Sequence, residues 1–403
     1  PYYYVYKAYA DWWLNSLTGS GGFNSVGIYP DYISIQNEPD WGQQDQVCRF
    51  RSTENSTYAG YDKAFEAVYN RMDGNVSPMP KMLAPESMGF GGSQTFINAL
   101  NARGQMNNIY GFSHHLYSDG SYTNPDGMIT GMINYHNNYG VYYNKPLFQT
   151  EFGQSGDPPT FGDAVLLAQH IHNCLVYEGV TSYYHWTSFR NGGYTTGGMI
   201  NLNSGSGGYT VRDLYWFFKA YTYFTDPNWY RVDATSSPSS DLRMTAFKNP
   251  DSNQLTVVIL NKSASATDLM LTLEGFLPSS SEIYRSSETE HWLYLGPYSS
   301  SLTLPAYSIT TIHLTGTSSP DCDAVQAAGY GLTSDIHPDC YVNYEDLKII
   351  TDYWLNTECD LYGDCEGADF EPDGDVDFVD FSTFAEQWLW CNDPEDPGCT
   401  PNW

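Results

Sequence analysis

Over residues 1–222, short apolar runs alternate with helical stretches, and this alternation restricts the fold more than any other feature of the 403-residue chain. The runs Tyr32–Gln36, Lys81–Ala84, Ile109–Ser113, Leu147–Thr150 and Val180–Trp186 have the length and apolar content of buried strands. Between them, Tyr58–Met72, Gln94–Ala102, Asp126–His136 and Phe161–Tyr177 read as helices. A chain that crosses back through a helix returns its next strand parallel to the last. The expectation for 1–222 is an α/β fold, a TIM-type (β/α)8 barrel.

After about residue 228 the pattern changes to period two. Leu242–Lys248, Leu255–Leu260, Leu269–Leu273 and Ser308–Leu314 are separated by Asn-Pro-Asp, Asn-Lys-Ser and Pro-Ser-Ser turns, which predicts an antiparallel β-sandwich over 223–315. Thr-Gly-Thr-Ser-Ser-Pro predicts a linker at 316–320.

Residues 321–403 form a third unit. They hold 21 Asp and Glu against one Lys, a net of −20 out of −30 for the chain. That sign argues against nucleic acid or an anionic membrane as partner, and no run of 18 apolar residues exists to span a bilayer. The unit repeats internally: Val342-Asn-Tyr-Glu-Asp-Leu leads to Trp354-Leu355, and Val376-Asp-Phe-Val-Asp-Phe leads to Trp388-Leu389, offset by 34 residues. Ahead of the second copy, Asp369, Glu371, Asp373, Asp377 and Asp380 occupy positions 1, 3, 5, 9 and 12 of a calcium loop, with Gly374 at position 6. In the first copy Asp335, Asp339, Asn343 and Asp346 match positions 1, 5, 9 and 12, but His337 stands at 3 and Cys340 at 6. Calcium is expected as a structural ion, and no cofactor is implied for chemistry. Six of eight cysteines (Cys322, Cys340, Cys359, Cys365, Cys391, Cys399) lie here, a disulfide framework with 15 possible pairings that suits an extracytoplasmic setting. Cys48 and Cys174 read as buried thiols, with a bridge between them as the alternative. Pro1-Tyr2-Tyr3-Tyr4 has no basic n-region, so it is no signal peptide and reads as a chain whose beginning is missing.

Two glutamates stand directly after apolar strands. Glu38 lies in Ile33-Ser-Ile-Gln-Asn-Glu-Pro-Asp-Trp41, and Glu151 ends Pro-Leu-Phe-Gln-Thr-Glu. In a barrel both reach the C-terminal rim, where catalytic groups collect. Paired carboxylates are what glycosidic cleavage needs, one to protonate the leaving oxygen and one to attack the anomeric carbon. Glu86, in Ala84-Pro85-Glu86, is a third rim carboxylate, read as substrate-lining or structural.

Asn37-Glu38-Pro39 resembles the strand-4 acid/base motif of clan A glycoside hydrolases, and Thr150-Glu151-Phe152 the strand-7 nucleophile motif. The stretches Ser34–Trp41 and Arg231-Val-Asp-Ala-Thr235 are similar to glycoside hydrolase family 30, most of all to bacterial xylanases of the glucuronoxylanase type. The resemblance covers about residues 1–315. It implies a retaining hydrolase cleaving β-1,4-xylan, endo-acting on glucuronoxylan, with plant cell-wall polysaccharide as substrate and secretion as its setting. It also implies Glu38 as acid/base, Glu151 as nucleophile, and Asn37, Trp41, His115, Tyr117 and Trp186 as substrate-binding residues. Of these, Tyr117 would bond the nucleophile, Asn37 the sugar 2-hydroxyl, and Trp186 would floor the −1 subsite. Arg190 and Tyr194 are candidates to hold a glucuronate, on a spacing unlike the family's. Family members carry three β/α units before the acid/base strand, so the barrel is expected to be N-terminally truncated, with strands 4–8 present. The acidic unit resembles a dockerin, which implies a cohesin-type scaffold partner. The alternatives are the same chemistry on another β-glycan, as a β-1,6-glucanase or exo-xylosidase, or a non-catalytic carbohydrate-binding protein attached to a scaffold.

Overall fold

The computed structural model describes residues 2–42, 49–153, 159–191, 198–203, 205, 207–235, 241–273, 276–299, 301–318, 322–359, 364–393, 396 and 399. The first part runs α1 (Tyr3–Thr18), β1 (Tyr32–Ser34), α2 (Tyr61–Met72), β2 (Lys81–Ser87), α3 (Phe90–Ala102), β3 (Gly111–His115), α4 (Ile129–Tyr135), β4 (Leu147–Phe152), α5 (Phe161–Asn173) and β5 (Val180–His185). The strands stand in the order β1-β2-β3-β4-β5, every neighbouring pair parallel. Each expected strand is present, and the five form half of a barrel wall. β2 and β3 are buried along nearly their whole length, as strands covered on both faces must be.

α1 is a helix that the strand–helix alternation did not anticipate. Its aromatic-rich sequence has no side-chain cap at Tyr2 and no acidic residue in its first turn. Tertiary contacts hold it: Tyr6, Ala10 and Leu17 are buried. The Tyr6 hydroxyl donates to Glu54 (2.8 Å) and accepts from the Gly60 N–H (2.7 Å). α4 and α5 each continue into a π-helical turn, His136–Val141 and Cys174–Glu178.

A small sheet of β6 (Phe189–Asn191), β7 (Ile200–Asn203) and β8 (Gly208–Val211) and then α6 (Asp213–Thr222) lead to the second part. There follow β9 (Tyr230–Val232), β10 (Leu242–Lys248), β11 (Gln254–Asn261), β12 (Thr267–Leu269), β13 (Phe276–Ser286), β14 (Leu293–Gly296), β15 (Leu302–Leu304) and β16 (Ser308–Ser318). Six strands form one antiparallel sheet, β14-β13-β16-β11-β10-β9, and β12 pairs with β15 as a short second layer. β11 is packed on both faces. Val258 and Leu260 meet α5 and α6 through Ala168, Ile171 and Phe217, while Val257 and Ile259 meet Leu269 and Leu304. β16 runs to Ser318, its end paired with Phe276 and Leu277, so ladder hydrogen bonds take up much of the stretch expected as a linker. Likewise only Leu269 of the expected strand Leu269–Leu273 lies in one.

The acidic unit contains α7 (Cys322–Ala327), α8 (Tyr344–Asp352) and α9 (Phe378–Glu386). Its halves are tied reciprocally. The Leu355 N–H donates to the Val376 carbonyl (2.8 Å), and the Leu389 N–H to the Val342 carbonyl (2.9 Å). Val342, Ile350, Val376 and Phe384 share one core. The disulfides are Cys322–Cys340, Cys359–Cys365 and Cys391–Cys399. Cys174 is a buried free thiol, and Cys48 lies outside the described residues. Among the described residues no helix is long and apolar enough to cross a membrane.

Candidate active site

The C-terminal ends of β1 to β4 bring together Glu38, Glu86, His115, Tyr117 and Glu151. The chain reaches Glu38 through an abrupt turn: its φ is 46°, its N–H donates to the Glu86 carbonyl (2.9 Å), and Glu86 itself has φ 64°. Side chains with a Cβ are held in this left-handed region at a cost of roughly 1–2 kcal/mol each. Both carboxylates are thereby turned into the rim, and both are buried.

One oxygen each of Glu38 and Glu151 and a ring nitrogen of His115 all lie within 4.8 Å of one another. His115 Nδ1 lies 2.8 Å from Glu38 Oε1, and Nε2 lies 3.5 Å from Glu86 Oε2. The Tyr117 hydroxyl donates to Glu151 Oε1 (3.1 Å). Thr150 Oγ1 donates to Glu86 Oε2. Burial opposes a charge on His115, but the hydrogen bonds to Glu38 and Glu86, with the charges of Glu86 and Glu151, outweigh it and raise the imidazole to about 9. Burial raises Glu151 above the usual carboxylate range, and the charges of Glu38 and Glu86 add to this against His115 and Tyr117. Burial also acts upward on Glu86, yet hydrogen bonds from His115 and Thr150 bring it below its ordinary value. Burial and the neighbouring Glu151 push Tyr117 far up, so it stays a hydroxyl donor.

Beneath the rim, His114 Nε2 meets Glu178 Oε1 at 2.5 Å with both side chains wholly buried, and the π turn after α5 is what carries Glu178 there. Asp40 and Asp119 brace the start of α3. Asp40 accepts from the Met88 N–H (3.0 Å) and Asp119 from the Phe90 N–H (2.8 Å), where a helix start favours negative charge.

Of the other residues singled out from sequence, Asn37 is exposed beside Glu38, and the Trp41 N–H donates to the Glu38 carbonyl (3.0 Å). Trp186 follows β5 with 47% of its surface exposed. The Arg190 guanidinium sits over its ring, 5.5 Å from the centroid. Tyr194 lies outside the described residues. Two contributors had little sequence signal. One is Glu86, whose role as the second anchor of His115 needs the fold to be seen. The other is Gly153, where a Cβ would fall 1.5 Å from the Trp186 carbonyl oxygen, so the ends of β4 and β5 meet only because this residue has no side chain.

The cluster Glu38, His115 and Glu151 suits a metal poorly, because each ring nitrogen of His115 is already directed at a carboxylate oxygen, Nδ1 at Glu38 (2.8 Å) and Nε2 at Glu86 (3.5 Å). The second acidic loop suits one better. Oxygens of Glu371, Asp377 and Asp380 lie within 4.8 Å of one another. Asp369 accepts from the Gly374 N–H (3.0 Å), Asp380 accepts from the N–H groups of Phe370 (2.7 Å) and Asp377 (2.8 Å), and Gly374 has φ 95°. Asp373, at position 5, accepts from the Asp375 N–H (3.1 Å). Burial and the charges of the surrounding aspartates raise Glu371 above its ordinary value, as crowded anions do to one another.

The first loop has the same backbone cage. Asp335 accepts from the Cys340 N–H (2.9 Å), and Asp346 accepts from those of His337 and Asn343 (both 2.8 Å). Cys340 takes the left-handed position of the glycine, φ 68°. Asn343 turns its amide NH₂ toward Asp339 and His337 stands 3.4 Å from Asp339, so positions 3 and 9, which carry the acids Glu371 and Asp377 in the second loop, hold an imidazole and an amide here.

Known proteins resemble this chain in sequence and in fold. Residues 230–312 match the glycosyl hydrolase family 30 beta sandwich domain. The chain is 25% identical over 286 residues to the glucuronoxylanase XynC of Bacillus subtilis (strain 168), covering 68% of this chain and 56% of that protein. The chain thus spans little more than half the length of this curated relative. Its fold is similar to a GH30 endoxylanase from Clostridium papyrosolvens (TM-score 0.57, 22% identity, 78% of this chain and 72% of that one). It is similar also to a family 30 subfamily 8 xylanase from Clostridium acetobutylicum (TM-score 0.59, 19% identity, 78% and 73%). The fold is therefore of the family 30 kind, a parallel half-barrel sheet with a separate antiparallel sheet.

Proposed function

We propose that the chain belongs to a retaining family 30 glycoside hydrolase that cleaves β-1,4-xylan inside the polymer, with glucuronoxylan as substrate. The observation that carries this is the approach of Glu38 and Glu151 oxygens to within 4.8 Å. Retaining enzymes hold their carboxyl groups about 5–5.5 Å apart, whereas inverting ones leave roughly 6.5–9.5 Å for a water. Glu151, steadied by Tyr117, attacks the anomeric carbon while Glu38 protonates the departing oxygen. Water then displaces Glu151 as Glu38 takes back the proton. Asn37 holds the sugar 2-hydroxyl and Trp41 lines the cleft beside it. Trp186 stacks on the sugar face, and Arg190 meets the uronic acid. The similarity to xylanases supports the substrate class.

The acidic unit is a dockerin-like module that binds structural calcium through Asp369, Glu371, Asp373, Asp377 and Asp380, an ion that neutralises the gathered carboxylates. It anchors the enzyme to a cohesin-type scaffold outside the cell, a setting its three disulfides support.

The test is hydrolysis of glucuronoxylan, arabinoxylan and pustulan, with the first product anomer read by proton NMR. Cleavage of glucuronoxylan to the β anomer is expected, with a loss of about 10³-fold or more in Glu151→Gln. A first product in the α configuration, or full activity of Glu151→Gln, would overturn the mechanism. Preference for pustulan would move the substrate to β-1,6-glucan.

A further inference from the structure

A neutral imidazole has one N–H and one lone pair, and a lone pair directed at a carboxylate oxygen is repelled. His115 faces a carboxylate with each nitrogen, Glu38 with Nδ1 and Glu86 with Nε2. An imidazolium satisfies both contacts by donating through each nitrogen, so the geometry favours a doubly protonated ring set between two carboxyl groups. Glu86 is the fixed partner of the two. It is 5% exposed, bonded by Thr150 Oγ1 and Ser34, and set by a left-handed backbone whose carbonyl accepts the Glu38 N–H.

We propose that Glu86 is a positioning residue for Glu38. Its carboxylate keeps His115 doubly protonated and aimed, so that Nδ1–H occupies Oε1 of Glu38 and leaves Oε2 as the oxygen that exchanges the proton with the glycosidic oxygen and with water. This rests on the reading of Glu38 as acid/base. His115 neither gains nor loses a proton in the cycle; it fixes which carboxylate oxygen does.

The charged and titratable groups around the ring come from every neighbouring strand end: Glu38 and Asp40 after β1, Glu86 at the end of β2, Tyr117 after β3 and Glu151 on β4. Tyr61 of α2 stands near Glu86. The anions outnumber the single cation. Loss of one anion from the ring's own contacts lowers its proton affinity directly.

The experiment is ¹⁵N-imidazole NMR titration of the full chain, with His115→Asn assigning the signal, alongside the pH dependence of kcat and KM. In the wild type His115 is expected to stay protonated to about pH 9. Glu86→Gln is expected to lower that midpoint by about one pH unit or more and to reduce kcat about 10²-fold with KM nearly unchanged. Glu86→Asp should restore part of each. Should Glu86→Gln fail to fold, Thr150→Val removes the donor that fixes Glu86 and is expected to shift the midpoint the same way by less. A folded Glu86→Gln whose His115 midpoint does not move overturns the proposal, as does an unchanged kcat. The titration needs no turnover: if Glu38→Gln remains active, the acid/base assignment fails instead, and the two failures are told apart.

Discussion

Gly153 shows how much of the site rests on a single atom being absent. A Cβ at this position would lie 1.5 Å from the backbone oxygen of Trp186, and backbone cannot swing aside as a side chain can. Gly153→Ala should therefore separate the ends of β4 and β5, lower stability by about 1–3 kcal/mol and cut activity, since Glu151 is two residues away. Gly91 in α3 is the control. A Cβ there meets nothing within 4 Å, so Gly91→Ala should stabilise by about 0.5–1 kcal/mol. Thermal unfolding of the two variants checks both signs, and an unchanged melting point for Gly153→Ala would sink the first. At this scale the sequence showed Glu38 and Glu151, because each follows an apolar strand in a distinctive tripeptide. Gly153 was hidden: Phe-Gly after a strand looks the same whether or not another backbone presses on it. Glu86 was visible as a carboxylate but not as the second anchor of His115, a relation across strands that only the fold supplies.

Among the elements, α5 carries the contact between the two parts of the molecule. His172 Nδ1 bonds Thr245 Oγ1 of β10 (2.8 Å), and His170 Nε2 bonds the Tyr122 carbonyl (2.9 Å). Burial lowers His172 to about 3 and His170 to about 4, so both are neutral in the folded chain. Unfolded, each titrates near 6.5. Their contribution is complete above about pH 6.5 and is lost as pH falls toward 3, by up to about 1.4 kcal/mol per pH unit for each ring. Asp126 extends the loss downward. Burial acts upward on its carboxyl, but hydrogen bonds from Gln169, Asn173 and Lys262 overcome this and hold it at about 2, so what it contributes fades below about pH 4. Denaturant unfolding from pH 7 to 4 should show a steady fall that His172→Gln lessens; a flat profile would refute the assignment. The strands of both parts were legible from period and length. α1 was not, since its apolar residues answer to α2 and the loop at Glu54 rather than to a helical stripe of their own. The strand expected at Leu269–Leu273 was drawn too far, since β12 ends at Leu269.

For the whole molecule, two-thirds of the net charge sits in the last fifth of the chain, and the unit that bears it is tied to the rest by more than the covalent connection. Leu277 of β13 packs with Val325 and Cys340. Calcium in the second loop is expected to stabilise this unit by about 2.7 kcal/mol at a hundredfold excess over its dissociation constant. Trp354 meets Phe378 edge-on at 5.1 Å beside that loop, so its fluorescence should report the binding. Chelation should lower the unit's melting temperature and change the emission while leaving the part built on the five parallel strands unmoved. No response of either signal to chelator or to added calcium would count against the site. The repeat of 34 residues announced two similar halves. The difference between them, Glu371 and Asp377 in one loop against His337 and Asn343 in the other, was legible in the residue types.

The crossed bonds from Leu355 to Val376 and from Leu389 to Val342 carry one more consequence. The tail of each helical half is the lock on the other half's loop, so neither copy is a self-sufficient cassette. Anyone grafting the second acidic loop onto another protein would have to move both copies together, and a cut between them would unfasten two loops at once.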